Sequence, residues 1–321
     1  MSLKTIFNYT NQLSTSLNAA LPIDRVLEVL ARTAPTRQLR AASRDMKKSI
    51  ASGSTLTQAF ERHRHLFPDF FTKMIGVGEH TGKLEDVTKS LASYYEQRYE
   101  ISRALRKELF IILPYFAVLM LLVLFVERIL RGPAALQGYL DVFGWIALIA
   151  VALFAAYYFS FGFRNAVGAA LFHLPFIGRL VKKLALSRFS EGMRLASEAG
   201  LDIGSTIRLS SESSGNFVFR KRALRAAEYI EKGSSISEAL DKTGVFPFEA
   251  IQMFIVGEET GKLHESMGHV SRLAREQALF NLHVTMVLGV RALYVCGVLY
   301  VAFKIVSFWS AIYGGLLGGF Y

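Results

Sequence analysis

Residues 77–84 read VGEHTGKL, and residues 256–263 read VGEETGKL. Seven of the eight letters agree. Two glycines and a lysine invite comparison with a phosphate-binding P-loop, which requires G-x-x-x-x-G-K-[ST]. The spacing fails. Gly78 and Gly82 are separated by three positions instead of four, and Leu84 sits where a magnesium-binding hydroxyl belongs. Gly257, Gly261 and Leu263 fail in the same way, and neither copy follows a β-branched strand run. The pattern predicts a corner between two helices. Apolar residues recur at helical spacing in PDFFTKMIGVGE before the turn and in LEDVTKSLASYYE after it. Gly82 suits a left-handed position after a helix end. Glu85, Asp86 and Glu265 suit the first turn of the next helix, where negative charge is favoured. A turn alone does not require Glu79, Thr81 and Lys83 to recur as Glu258, Thr260 and Lys262.

The octapeptide is the best-matched part of a longer internal repeat. At an offset of 180, Leu21, Ile23, Ile50, Gly53 and Ala59 meet Leu201, Ile203, Ile230, Gly233 and Ala239. One deletion later, at 179, Phe67 and Pro68 meet Phe246 and Pro247. Helix punctuation recurs as well. Gly53 is followed by Thr55-x-x-Gln58 and Gly233 by Ser235-x-x-Glu238, each a helix stop and then a capping box. Pro68 and Pro247 fit the first turn of a helix. Each unit reads as all-helical, with about six helices, the last running on into an apolar stretch. Leu109 and Tyr115 match Leu288 and Tyr294, so that continuation repeats too.

Of the 321 residues, 52% are hydrophobic, against about 45–50% in soluble domains. The excess is concentrated. Residues 109–126 and 142–163 contain no charged side chain. At about 1.5 Å per residue they reach roughly 27 and 33 Å, enough for a hydrocarbon core of about 30 Å. A third apolar stretch, 286–312, is interrupted only by Arg291 and Lys304. An all-α membrane protein with three transmembrane helices is expected. Cytoplasmic helical domains would occupy 1–108 and 164–283, a short outer loop 127–141, and an outer tail 313–321. The N-terminal stretch lacks the continuous apolar core of a signal peptide.

Charge distribution sets the expected orientation. The formal net charge is +11. Residues 1–108 hold 17 Lys/Arg against 11 Asp/Glu, and 164–283 hold 16 against 13, whereas 127–141 are balanced. Basic residues crowd the inner ends of the spans, at Arg103, Arg106, Lys107 and Arg164. The positive-inside rule then places both long polar regions and the N-terminus in the cytoplasm and the C-terminus outside.

The sequence offers little for catalysis. His264 and His269 are five apart, one too many for the same-face zinc pair of H-E-x-x-H, and His63 and His65 point apart on a helix. No G-x-S-x-G element occurs. The lone cysteine, Cys296, lies within the third apolar stretch and cannot form an internal disulfide. The basic cluster Arg220, Lys221, Arg222 and Arg225 has no nucleic-acid recognition module around it and reads as a solvated or headgroup-facing surface. No metal, cofactor or nucleic acid is expected. Arg291 and Lys304 read as side chains that snorkel to the two interfaces, or that face a sister subunit or another membrane helix.

Two copies of G-E-x-T-G-K-L, in helical polar domains joined by three apolar stretches, resemble the inner-membrane platform protein of type II secretion and type IV pilus assembly. The resemblance covers essentially the whole chain. The short N-terminal region is similar to the type IVb pilus versions. The resemblance implies a non-enzymatic homo-oligomer in the bacterial inner membrane. It implies that a hexameric cytoplasmic ATPase, a pilin or pseudopilin, and other machine subunits are partners. It implies that Gly78, Glu79, Thr81, Gly82 and Leu84, with Gly257, Glu258, Thr260, Gly261 and Leu263, are the family motif positions. These corners are expected either to shape a surface used against the ATPase or a sister domain, or only to hold the geometry of their own bundle. A small transporter or channel subunit is the alternative, though three spans are few and inverted membrane repeats are absent.

Overall fold

A computed structural model describes residues 2–131, 148, 172 and 177–318. The second apolar stretch (142–163, apart from Leu148), most of the expected outer loop and the start of the second polar region lie outside the described residues, as does the end of the tail. Every regular element described is a helix. The first half carries α1 (Leu3–Asn18), α2 (Ile23–Thr33), α3 (Arg37–Ala51), α4 (Leu56–Arg62), α5 (Asp69–Thr81) and α6 (Leu84–Arg131). The second half carries α7 (Ile177–Glu198), α8 (Ile203–Ser213), α9 (Phe217–Ala223), α10 (Arg225–Glu231), α11 (Ile236–Lys242), α12 (Phe248–Glu259) and α13 (Leu263–Gly318). The stretch matching α3 is thus divided at Leu224, giving seven helices among the described residues of the second half where about six are expected.

Local chemistry starts these helices where the sequence indicates. The hydroxyls of Ser2 and Thr36 accept from the N–H groups of Thr5 and Leu39 at the starts of α1 and α3. Asp202 and Asn216 do the same for α8 and α9. At α4 the expected capping box is complete: Gln58 N–H donates to the Thr55 hydroxyl, and Thr55 N–H donates to the Gln58 side chain. At α11 only the forward half forms. Glu238 N–H donates to the Ser235 hydroxyl, while the Glu238 carboxylate turns to Lys242, 2.7 Å away, as an i,i+4 ion pair. Pro68 and Pro247 stand at the N-caps of α5 and α12, one residue earlier than a first-turn placement.

The chain divides into two compact units, Met1–Ala104 with Leu171–Leu279, and Leu105–Ala170 with Phe280–Tyr321. The first unit therefore contains the helical bundles of both repeat copies. It is built around two hydrophobic clusters with a phenylalanine of the Phe-Pro pair in each. Phe67 lies 5.3 Å from Tyr9, 4.9 Å from Phe60 and 5.1 Å from Phe71, centroid to centroid. Phe246 lies 5.0 Å from Phe189, 5.3 Å from Phe219 and 5.7 Å from Phe254. Leu195, Ala196, Ala199 and Leu209, from α7, its C-cap and α8, are buried in the first cluster. Lys73 on α5 also pairs with Glu212 on α8 at 2.8 Å. The two copies share a core as well as a chain.

In the second unit the apolar run of α6 presents exposed Phe110, Tyr115, Val118, Leu121 and Phe125. Among the described residues, one helix is long and apolar enough to cross a membrane, over Leu263–Ser310 of α13. Its large side chains, among them Phe280, Tyr294, Phe303 and Val306, are uncovered.

Candidate functional site

The repeated octapeptide forms two helix corners, α5 to α6 and α12 to α13, and each of its recurring residues but the valine and the lysine has a physical task within the fold. Gly82 and Gly261 take φ values of +69° and +67°, with nothing near where a Cβ would project. They are required for backbone conformation, because a side chain at such φ strains against its own carbonyl. Gly78 and Gly257 serve close approach. A Cβ on Gly78 would meet Leu84 Cα and Val87 Cβ at 3.1 Å, and one on Gly257 would meet Ser266 Cβ at 2.7 Å. Leu84 and Leu263 begin the next helix and pack, half-buried, against the two clusters. The hydroxyls of Thr81 and Thr260 donate to the carbonyls of Val77 and Val256 one turn back, at 2.8 and 2.7 Å.

The glutamates do something the sequence does not announce. Glu79, on α5, reaches back to the start of α4. Its carboxylate accepts from Leu56 N–H at 2.6 Å, Thr57 N–H at 2.8 Å and the Thr57 hydroxyl at 2.5 Å. Glu258 repeats this at α11, accepting from Ile236 N–H at 2.7 Å, Ser237 N–H at 3.0 Å and the Ser237 hydroxyl at 2.6 Å. The orphan N–H groups of a helix start thus find an anion at the positive end of the helix dipole. Burial alone would raise both carboxyl pKa values. The hydrogen bonds from Thr57 and Leu56, and from Ser237 and Ile236, outweigh it and hold both below the usual carboxylate range. The clue was present: hydroxyl residues Thr57 and Ser237 recur at the same place after each helix stop. What each corner leaves facing solvent is its turn, including exposed Lys83 and Lys262.

The family model described as "Type II secretion system (T2SS), protein F" matches this chain twice, over residues 9–127 and 189–313. The chain belongs to the type II secretion protein F family. It is 25% identical to "Type II secretion system protein F" of Pseudomonas aeruginosa over 299 residues, covering 85% of this chain and 73% of that protein. It is 22% identical to "Type IV pilus assembly protein PilC" of the same organism, covering 84% and 78%. Against "Type II secretion system protein F" of Vibrio cholerae the identity is 26%, covering 88% and 74%. Each of the two family matches spans one octapeptide corner and the helix that follows it.

In this protein F family member the other singled-out residues lie elsewhere. Arg291 is exposed on α13, and the Lys304 ammonium stands 5.5 Å from the ring centroid of Tyr300. Cys296 is exposed on the same helix. Among the described residues no group of His, Cys, Asp or Glu could hold a metal ion.

A second feature escaped the sequence reading. Half-buried Arg98 on α6 and Arg188 on α7 each keep a buried Nε without a hydrogen-bond partner among the described residues. Arg98 donates to the Tyr94 hydroxyl at 3.2 Å. Burial, and then the charge of Arg98, push the Arg188 guanidinium down to about 10. The two half-buried guanidinium groups repel, and neither has a carboxylate at ion-pair distance among the described residues.

Proposed function

We propose that this chain is a non-enzymatic inner-membrane platform that couples a cytoplasmic hexameric assembly ATPase to extraction and polymerisation of pilins or pseudopilins. The observation that carries the reading is the doubled family match laid over two identically braced helix corners in one helical unit. A mechanical coupler needs stiff docking surfaces more than reactive groups. Glu79 and Glu258 lock each corner to the start of the preceding helix, so a push on a corner moves a whole bundle. The solvent-facing turns around Gly82 and Gly261 form the surface offered to the ATPase or to a sister copy. The chain works as a homo-oligomer beside the other machine subunits.

Three membrane crossings, at 109–126, 142–163 and 286–312, belong to this reading. So do a cytoplasmic N-terminus, a periplasmic C-terminus and the flanking domains 1–108 and 164–283. The exposed apolar faces of α6 and α13 support it. Arg291 and Lys304 serve as interfacial anchors or as contacts to a neighbouring membrane helix.

The test is co-purification of the full-length protein with the hexameric ATPase from membranes holding both. Retention of the ATPase is expected. It should fall in Lys83→Glu combined with Lys262→Glu, which alters the turns and leaves both corners' hydrogen bonds intact. Gly82→Val or Gly261→Val should abolish fibre assembly. Normal assembly in those variants, or ATP turnover by the polypeptide alone, overturns the reading.

A further inference from the structure

The internal repeat supplies its own control for a cavity of about 450 Å³ in the second copy. In the register that superposes the two octapeptides, Phe70, Phe71, Tyr94 and Tyr95 of the first copy correspond to Glu249, Ala250, Leu273 and Ala274. In the first copy the four rings are buried and packed together. Phe70 lies 4.9 Å from Tyr94, Phe71 lies 6.1 Å from Tyr95, and the two tyrosines are 5.0 Å apart. In the second copy none of those rings is present, and all four replacements line the open space. Its floor is apolar, with Leu186, Phe246 and Met253 completing it. The space opens to solvent along its rim, and its volume falls within the range of about 300–1,000 Å³ occupied by small-ligand sites.

The rim is cationic. Arg179, Lys182 and Lys183 line the cavity from the first two turns of α7, at the i, i+3 and i+4 spacing that puts them on one helix face. None of the three has a carboxylate within 4.0 Å among the described residues; Lys182 lies 4.9 Å from the Phe172 ring centroid. Among the described residues Glu249 is the single acid in the lining. An apolar slot edged by three cations and one anion matches an acyl chain that ends in a negatively charged headgroup.

The chain carries both walls next to apolar sequence. α7 begins at Ile177, shortly after the uncharged stretch 142–163. Along α13, Leu273, Ala274 and Gln277 come just before Phe280 and Leu288, which are 68% and 49% exposed. A helical peptide would need a groove long enough for anchors over two turns, whereas this space suits one chain. We infer that the cavity bounded by α7, α12 and α13 binds one acyl chain of an anionic phospholipid, its headgroup held by Arg179, Lys182 and Lys183. The inference rests on the membrane placement proposed above only for the source of that lipid.

The test uses full-length protein in lipid nanodiscs containing phosphatidylglycerol with a photoreactive acyl chain, followed by peptide mapping. Crosslinks are expected in 246–253 or 270–277, in addition to the apolar stretch 286–312. Refilling the slot with the first copy's side chains, Ala250→Phe with Ala274→Tyr, should remove the former and spare the latter. Replacing Arg179, Lys182 and Lys183 by Gln should cut the preference for phosphatidylglycerol over phosphatidylcholine by about tenfold. This second variant keeps the test decisive if the refilled protein fails to fold. Crosslinks at 286–312 without any in the groove overturn the inference and leave the membrane placement standing. Absence of both overturns the two together. Equal labelling by the zwitterionic lipid, or groove crosslinks to a polypeptide in place of lipid, also overturns it.

Discussion

At the scale of single residues, the corner glutamates are the side chains on which the rest leans. Glu79→Ala leaves two backbone N–H groups and a hydroxyl at the start of α4 without their acceptor, at a cost of about 1–3 kcal/mol. Thermal unfolding followed by circular dichroism in detergent should show it, and Glu258→Ala should behave alike. The pH dependence has a definite sign. Both carboxyls are held low in the folded protein. Their contribution is therefore complete above the unfolded carboxyl value of about 4.3 and fades as pH falls through the lower folded value. Glu79→Gln should be less stable than the parent at neutral pH, and the gap should begin to narrow as pH falls below about 4.3. The corner glycines divide by mechanism. Gly82→Ala should cost about 1–2 kcal/mol through backbone strain. Gly78→Ala should cost about 1–3 kcal/mol through overpacking against Leu84 and Val87. Gly82→Asn should recover much of the loss at the first site, since asparagine tolerates the left-handed region. The same change at the second should not.

At the scale of elements, half-buried charge sets the expectation. Arg188 sits on α7 with its Nε unsatisfied and Arg98 nearby. Replacing it by methionine, which keeps an apolar stem and removes a partly desolvated charge, should be neutral or mildly stabilising. A marked loss of stability would show that Arg188 has an anionic partner in the assembled protein. The elements also show how far the sequence could be read. Helix class, the Gly82 and Gly261 turns and the Thr55–Gln58 box all follow from short-range rules, because those contacts lie within one turn. The Glu79 and Glu258 caps join the end of one helix to the start of another, and no local rule reports them. The Glu238 side chain chose Lys242 over its own cap, a competition between two short-range partners that spacing cannot decide. The missing rings at Glu249, Ala250, Leu273 and Ala274 are visible in the aligned repeat. Whether such a space collapses or stays open depends on how the surrounding helices settle, which pairwise letters do not record.

At the scale of the whole molecule, the repeat is a pair of copies with a shared interior. Leu195 and Leu209 belong to the second copy but lie 1% and 5% exposed in the first copy's cluster. Leu195→Ala or Leu209→Ala should cost about 2–5 kcal/mol. Hydrogen exchange should register the loss in α1–α3 as well as in α7 and α8. Protection lost only near the substitution would mean that the copies open independently. Orientation is tested separately, in a Cys296→Ala background. Single cysteines at Lys83 and Lys262 should react with impermeant reagents only from the cytoplasmic side, and one at Gln137 only from outside. The two long helices differ in one further respect. α6 contains Pro114, whose ring nitrogen cannot complete the backbone ladder. α13 runs 56 residues, about 84 Å at helical rise, with no proline anywhere along it. α13 therefore keeps a backbone N–H donor at every position from Leu263 to Gly318, whereas α6 lacks one at Pro114.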